Sequence, residues 1–300
     1  MSSFPSLPEA LPNQVGMRLR WTHPLPAAPR GVALARERSL VLVWDANQWI
    51  YLLSRGGGPQ AQWHAPGNLV SVCTADDGSA FAAVGDRGEI WWLAPDLMPR
   101  WGRGLSRPAT AAALDSLGQY LAVADNRGRV YVFNHLSKLV FKVTCPRPLH
   151  HLAFVPGAPF LVGSSDFGLV TCFDTSGKQM WRDGLVAHVG SLAVNGDGTE
   201  MVLACFSEGL QRYNVAGQNQ GRVSVPEPCR LAAISYDGRH VLASGLGNHL
   251  RLLNRQGQVL CAHVLEKNAA ALAFGAQSEQ VVVALADGPV IALDLRQLVA

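Results

Sequence analysis

The sequence predicts an all-β protein, a seven-bladed β-propeller of four-stranded antiparallel blades, and three observations carry that prediction. The chain matches itself at a spacing of 40 residues, and each unit of 40 holds three turn signals. One column of small residues also recurs seven times, as Ala33, Cys73, Ala113, Ala153, Ala193, Ala233 and Ala273. A fixed period of this length marks a repeat architecture, in which each unit buries its apolar face only against its neighbours. Three turns per unit separate four strands.

Within one unit the elements follow in order. The first strand holds the small column, which suits the innermost position, where blades converge and room is least. The first turn reads DDGS, SLGQ, GDGT and YDGR around Gly78, Gly118, Gly198 and Gly238, positions that call for a residue free to take φ > 0. The second strand is a short apolar run, as in LVLV at 40–43, YLAVA at 120–124 and VVVA at 281–284, with no helical periodicity. Such near-continuous hydrophobicity means that both sheet faces are covered. The second turn has Gly88, Gly128, Gly168 and Gly288, with Gln48, Glu208 and Asn248 in the other copies, and the third has Gly57, Gly177, Gly217 and Gly257.

The fourth strand carries Trp101, Phe141 and Trp181 in one column, and the counterpart in the last repeat would fall just past residue 300. Stepping back by the period instead reaches Trp21, and GMRLRW at 16–21 aligns with LMPRW at 97–101 and GKQMW at 177–181. Residues 16–22 are therefore expected to supply the outer strand of the last blade, pairing near Val290 to Asp294. Such a clasp leaves no unpaired junction in the ring. The expected organisation is a flexible segment over 1–15 and one propeller domain over 16–300.

Composition narrows the function classes. With 48% hydrophobic and 16% charged residues the chain can bury a sizeable core. Its net charge of +3, from 25 basic and 22 acidic residues, is too small to point to a nucleic-acid or membrane partner. No apolar run approaches the roughly 18 residues that cross a bilayer, and no basic or apolar leader is readable, so a cytoplasmic protein is expected. The six cysteines show no CxxC spacing and sit mostly in apolar runs, which predicts reduced, buried, structural thiols. His150 and His151 are adjacent on a strand and point to opposite faces, so no metal site is expected there. No catalytic triad and no cofactor are readable.

The DG turn, a run like YLAVA, a second Gly turn, then an aromatic or Leu followed by Asn or Asp and GK..W resembles the repeat of WD40-like and quinoprotein-like (PQQ-like repeat) β-propellers. The likeness covers residues 16–296, and GLVTCFDTSGKQMW at 168–181 is its best copy, with Trp181 expected to dock between blades. No Gly-His precedes the first strand and no Trp-Asp ends the third; the single Trp44–Asp45 pair ends a second strand. The resemblance implies a binding site on the face built from second turns and inter-blade links, or at the mouth of the central channel.

On that face the candidate binding residues are Trp44, Trp49, Trp63, Arg87, Arg103, Arg107, Arg127 and His150. Trp44 stands in a column of Val84, Ala124, Ser164, Ala204, Ser244 and Ala284, and Trp49 in one of Glu89, Arg129, Leu169, Gly209, His249 and Pro289. The repeat does not demand a large aromatic at either place. Aromatics beside Arg are the usual make-up of interface hot spots. Asp86, Asp125 and Asp166 are expected to cap the amides of their own turns. The reading is a non-enzymatic scaffold for a protein or peptide, with nucleic acid disfavoured. The alternative is a hydrolase or lyase at the channel mouth using His150, Arg30 and Arg230.

Overall fold

The computed structural model describes residues 17–185 and 187–295. The segment 1–15 assigned from the sequence lies outside them. The strands are β1 (Arg18–His23), then β2 (Pro29–Ala35), β3 (Leu40–Asp45), β4 (Trp49–Leu53) and β5 (Pro59–His64) of blade 1. Blade 2 follows with β6 (Leu69–Thr74), β7 (Phe81–Gly85), β8 (Glu89–Leu93) and β9 (Pro99–Gly104). Blade 3 has β10 (Ala109–Leu114), β11 (Tyr120–Asp125), β12 (Arg129–Asn134) and β13 (Leu139–Thr144). Blade 4 has β14 (His151–Phe154), β15 (Phe160–Ser164), β16 (Val170–Asp174) and β17 (Gln179–Asp183). Blade 5 has β18 (Val189–Val194), β19 (Glu200–Cys205), β20 (Gly209–Asn214) and β21 (Asn219–Val223). Blade 6 has β22 (Cys229–Ile234), β23 (His240–Gly245), β24 (His249–Asn254) and β25 (Val259–Val264). Blade 7 has β26 (Ala269–Phe274), β27 (Gln280–Leu285) and β28 (Val290–Asp294).

Each blade is a four-stranded antiparallel sheet in chain order, except the last, whose order is β1-β28-β27-β26. The seven sheets form the β-propeller that the repeats predict. β1 pairs with β28 from Arg18 opposite Asp294 to His23 opposite Val290, so the two ends of the chain share one sheet. The central strands of the blades are buried on both faces, and the core consists of seams between blades; one holds Leu42, Ile50, Leu52, Phe81 and Leu93. No helix among the described residues is long and apolar enough to cross a membrane.

The small column lies on the innermost strands, and the aromatic column on the outermost. There the aromatics act as pegs. The indole N–H groups of Trp21, Trp101 and Trp181 donate to the carbonyls of Arg55, His135 and Val215 at 2.9, 2.9 and 2.8 Å, each 34 residues onward in the next blade's third turn. Trp181 thus docks between blades as expected. Gly217, at φ 81°, shows why the third turn carries glycine: a Cβ there would stand 2.4 Å from the Trp181 indole. Where blade 1 has Ala61 instead of an aromatic, Leu97 in the facing turn of blade 2 is fully buried beside it.

Candidate interaction face

In an antiparallel meander the second turns and the links between blades fall on the same end of the ring. Here each is tied to the other by backbone hydrogen bonds. Asp86 N–H donates to the Asn68 carbonyl at 2.8 Å, Asn126 N–H to Pro108 at 3.0 Å, and Phe206 N–H to His188 at 2.9 Å. On the outgoing side, Leu105 N–H donates to Gly88 at 2.8 Å and Cys145 N–H to Gly128 at 2.7 Å. The face is a rigid backbone platform, so the positions of its side chains are set by the repeat.

The candidate residues divide into two groups. Trp44, Trp49 and Trp63 are half-buried and sit in seams. Trp44 and Trp63 lie opposite Ile50 across the blade 1 ladder and turn toward blade 2, where Trp63 meets Trp91 edge-on at 5.7 Å. Trp44 covers Gly31 so closely that a Cβ there would fall 1.9 Å from the indole. Trp49, one residue before Ile50, faces the other way, against Tyr51 at 6.4 Å and His64 at 4.9 Å. The structure therefore does not gather the three tryptophans. Arg103, on β9, also turns into a seam, with its guanidinium 4.2 Å over the Phe133 ring and donating to the Ser137 carbonyl at 2.6 Å.

Arg87, Arg107 and Arg127 are exposed, and among the described residues their guanidinium groups have no ion-pair or hydrogen-bond partner. They stand in a row. Gly88 packs against the Arg107 backbone, where a Cβ would come within 2.3 Å of its carbonyl. Asn126, next to Arg127, bonds to Pro108, next to Arg107. Gly128 in turn packs on the backbone of Arg147. Three of the carboxylates nearby accept hydrogen bonds, Glu89 from the Arg87 amide at 3.1 Å. Asp125 is fully buried and accepts from the amides of Arg127 and Arg129 at 2.9 Å each, the turn cap expected of it. Asp86 instead accepts from the Asn68 side chain at 3.1 Å, and Asp166 lies 3.2 Å from His150 Nδ1, so neither caps its own turn through its side chain.

Past Arg147 the row changes character. Arg147 Nη1 donates to the Phe167 carbonyl at 3.4 Å, and the Phe167 ring lies 5.0 Å from His188. His188 is bonded to Phe206 as above. Phe167, Phe206 and Leu246 are exposed by 38, 39 and 54%. These apolar residues were missed by the sequence reading, although the comparison that singled out Trp44 also marks two of them. Phe206 and Leu246 share a column with Ala46, Asp86, Asn126, Asp166 and Ala286.

Toward the channel, Thr110 Oγ1 donates to the Leu149 carbonyl at 2.6 Å and Arg230 Nη2 to Ala269 at 2.7 Å, stitching neighbouring inner strands. His151 bonds the Val189 carbonyl through Nε2 at 3.2 Å, and burial holds its pKa below the usual histidine value. The larger hollows lie at the opposite end. A cavity of about 260 Å3 occupies that end of the channel, lined by Ala33, Cys73, Ala113 and Ala153 with Arg36 and Asp76 at its mouth. Arg36 clamps Asp76 at 2.8 and 2.7 Å and lies 5.5 Å from the Tyr236 ring. None of Arg30, His150 and Arg230 lines that cavity.

The six cysteines are free, and five are buried. Burial pushes the Cys73, Cys172 and Cys229 thiols up to about 12, so none is a nucleophile at neutral pH. The described residues contain no group of three or more His, Cys, Asp or Glu placed to hold a metal ion. No protein-family profile matches the chain, and no curated protein matches its sequence.

Proposed function

We propose that this protein is a binding platform for another protein, working through the face of second turns and inter-blade links. One observation carries the reading: Arg87, Arg107 and Arg127 stand side by side on a rigid backbone, and among the described residues their guanidinium groups have no partner. A folded protein ordinarily satisfies such groups with water, but a continuous row beside exposed aromatics has the make-up of a contact surface. His150, at the inner edge of the row, adds a polar group, while Trp44, Trp49, Trp63 and Arg103 fill seams between blades. The recurring peg and DG turn support membership in the WD40-like and quinoprotein-like group of propellers. The six free cysteines fit a reducing compartment such as the cytoplasm.

The test is affinity capture from lysate with the native protein and an Arg87→Glu, Arg107→Glu, Arg127→Glu variant that keeps its melting temperature. Proteins retained by the native chain and lost by the variant are the expected result. An identical set with both would overturn the assignment to this face. The alternative, a site at the channel mouth with His150, Arg30 and Arg230, gains nothing from the cavity of about 260 Å3, which lies at the opposite end of the channel and touches none of them.

A further inference from the structure

The row of arginines does not end in solvent but runs into a stretch where exposed apolar side chains stand beside ion pairs already formed. Going round the face from blade 2 to blade 4 the exposed basic side chains are Arg87, Arg107, Arg127 and Arg147. From blade 4 to blade 6 the exposed large apolar side chains are Phe167, Phe206 and Leu246, beside the Arg222–Glu208 and Arg251–Glu227 ion pairs. Continuity is explicit at each step: Gly88 against Arg107, Asn126 on Pro108, Gly128 against Arg147, Arg147 on Phe167, Phe167 on His188, His188 on Phe206, Cys229 on Phe206, and Gly245, next to Leu246, against Pro228.

We infer that this arc takes an extended protein segment in which a cluster of carboxylates adjoins bulky apolar side chains, the acidic part on blades 2–4 and the apolar part on blades 4–6. The inference rests on the reading of this face as the working one and gives its partner a chemistry. Guanidinium groups favour carboxylates because their planar donors match two oxygens at once. Of the nearby carboxylates Asp125 is held by its own turn, Asp86 accepts from Asn68 and Glu89 from the Arg87 amide, while Asp166, exposed by 62%, lies beside His150 and marks the end of the basic row. On blades 2 and 3 an incoming acidic chain therefore meets three guanidinium groups that have no ion-pair partner among the described residues. Beyond it, Phe167, Phe206 and Leu246 offer apolar area whose burial adds affinity that salt does not screen.

The segregation also separates this partner from single-stranded nucleic acid. A nucleic-acid strand presents a phosphate and a base at every step, so its sites interleave cations with stacking aromatics along one groove. Here the unpaired arginines and the exposed aromatics occupy different arcs, and the arginines of the aromatic arc are tied to carboxylates. The net charge of +3 is likewise small for a surface that gathers a polyanion.

The experiment is fluorescence anisotropy with labelled peptides of four glutamates joined to Leu-Phe-Leu-Phe, in both orders. Its companions are a peptide of the glutamates alone, a peptide of the apolar half flanked by glycines, and a labelled uridine oligonucleotide. The better of the two composite peptides is expected to bind about tenfold or more tighter than either half, and to weaken between about 50 and about 300 mM salt. Arg107→Gln with Arg127→Gln should remove most of the salt dependence, and Phe206→Ser with Leu246→Ser most of the gain from the apolar half. An Arg18→Gln, Arg100→Gln control, at the third-turn ends of outer strands and away from this face, should bind as the native protein does. Composite peptides that bind no better than the glutamates alone would overturn the inference, and so would tighter binding of the oligonucleotide or equal loss in the control. If capture of proteins from lysate still depends on the arginine row while every peptide fails, the face stands and this partner chemistry falls. If capture is also indifferent to the row, the reading of the face falls with it.

Discussion

The junction between blades 4 and 5 and the one between blades 5 and 6 meet the same need with different chemistry. In each, a third-turn carbonyl faces the outer part of the preceding blade and needs a donor. Between blades 4 and 5 the donor is the Trp181 indole, which bonds Val215, lies parallel to Tyr213 at 6.4 Å and fills the space above Gly217. Between blades 5 and 6 the peg position is Gly221, and a Cβ there would meet nothing within 4 Å. The corresponding carbonyl, Arg255, accepts instead from Arg212, on β20 of blade 5. Arg212 stands where other repeats have Leu52, Trp92, Val132, Cys172, Leu252 and Ala292, and its charge is met by Glu200. One junction thus couples its hydrogen bond to apolar burial; the other couples it to an ion pair whose side chains are exposed by only 16 and 8%. An indole brings its own packing, whereas a half-buried guanidinium stabilises only while its counter-charge is present.

The largest effect should come from breaking the peg that also closes the ring. Deleting residues 1–23 removes β1 and Trp21 together, and the melting temperature is expected to fall on the order of 10 °C or more. A melt unchanged by the deletion would mean that the clasp contributes little. Next, Trp181→Ala should cost about 3 kcal/mol in urea unfolding, through lost packing and an orphaned Val215 carbonyl, with Trp181→Phe recovering the packing part alone.

At the polar junction the expected pattern differs in kind. Arg212→Met alone should cost about 2 kcal/mol, because Glu200 stays buried with only Arg255, 3.8 Å away, to answer it. Combining it with Glu200→Leu should return stability to within about 1 kcal/mol of the native chain. A double variant as unstable as the single would show that the ion pair is not what distinguishes this junction.

The smallest effect is one of pH, and it falls on blade 6. Burial lowers the pKa of His240 and His263, both on that blade, below the histidine reference of 6.5. The unfolded chain therefore takes up protons that the folded one resists, so their contribution is complete above about pH 6.5 and is lost as pH falls through the lowered folded values. Amide protection factors in β22–β25, which correct for the intrinsic pH dependence of exchange, should fall between about pH 7 and about pH 5 by more than in β18–β21, which hold no histidine. An equal fall in both blades would place the sensitivity elsewhere.

Much of this was legible beforehand wherever a requirement repeats. The glycines of the first and third turns, the small column on the inner strands and the step from Trp101 and Trp181 back to Trp21 all answer local demands made once per blade. The tryptophans of blade 1 were harder. Trp44, Trp49 and Trp63 look like neighbours in sequence, but strand alternation sends Trp49 to the opposite seam from Trp44 and Trp63. Phe206 and Leu246 escaped because attention went to tryptophan rather than to every large apolar residue standing in a polar turn column.

The sequence by itself determined the number of blades, the place of each turn and the pairing of the two ends, because positive φ, small inner side chains and apolar strands are properties of single positions that recur every 40 residues. Only the tertiary structure decided which side chains meet: that an indole reaches a carbonyl 34 residues on, that Arg212 replaces it once, and that four arginines and three apolar residues form one arc. Those meetings occur between blades, where partners lie on different repeats and no rule of local spacing names them. Contact across a seam depends on how two complete sheets pack, and that exists only once the ring has closed.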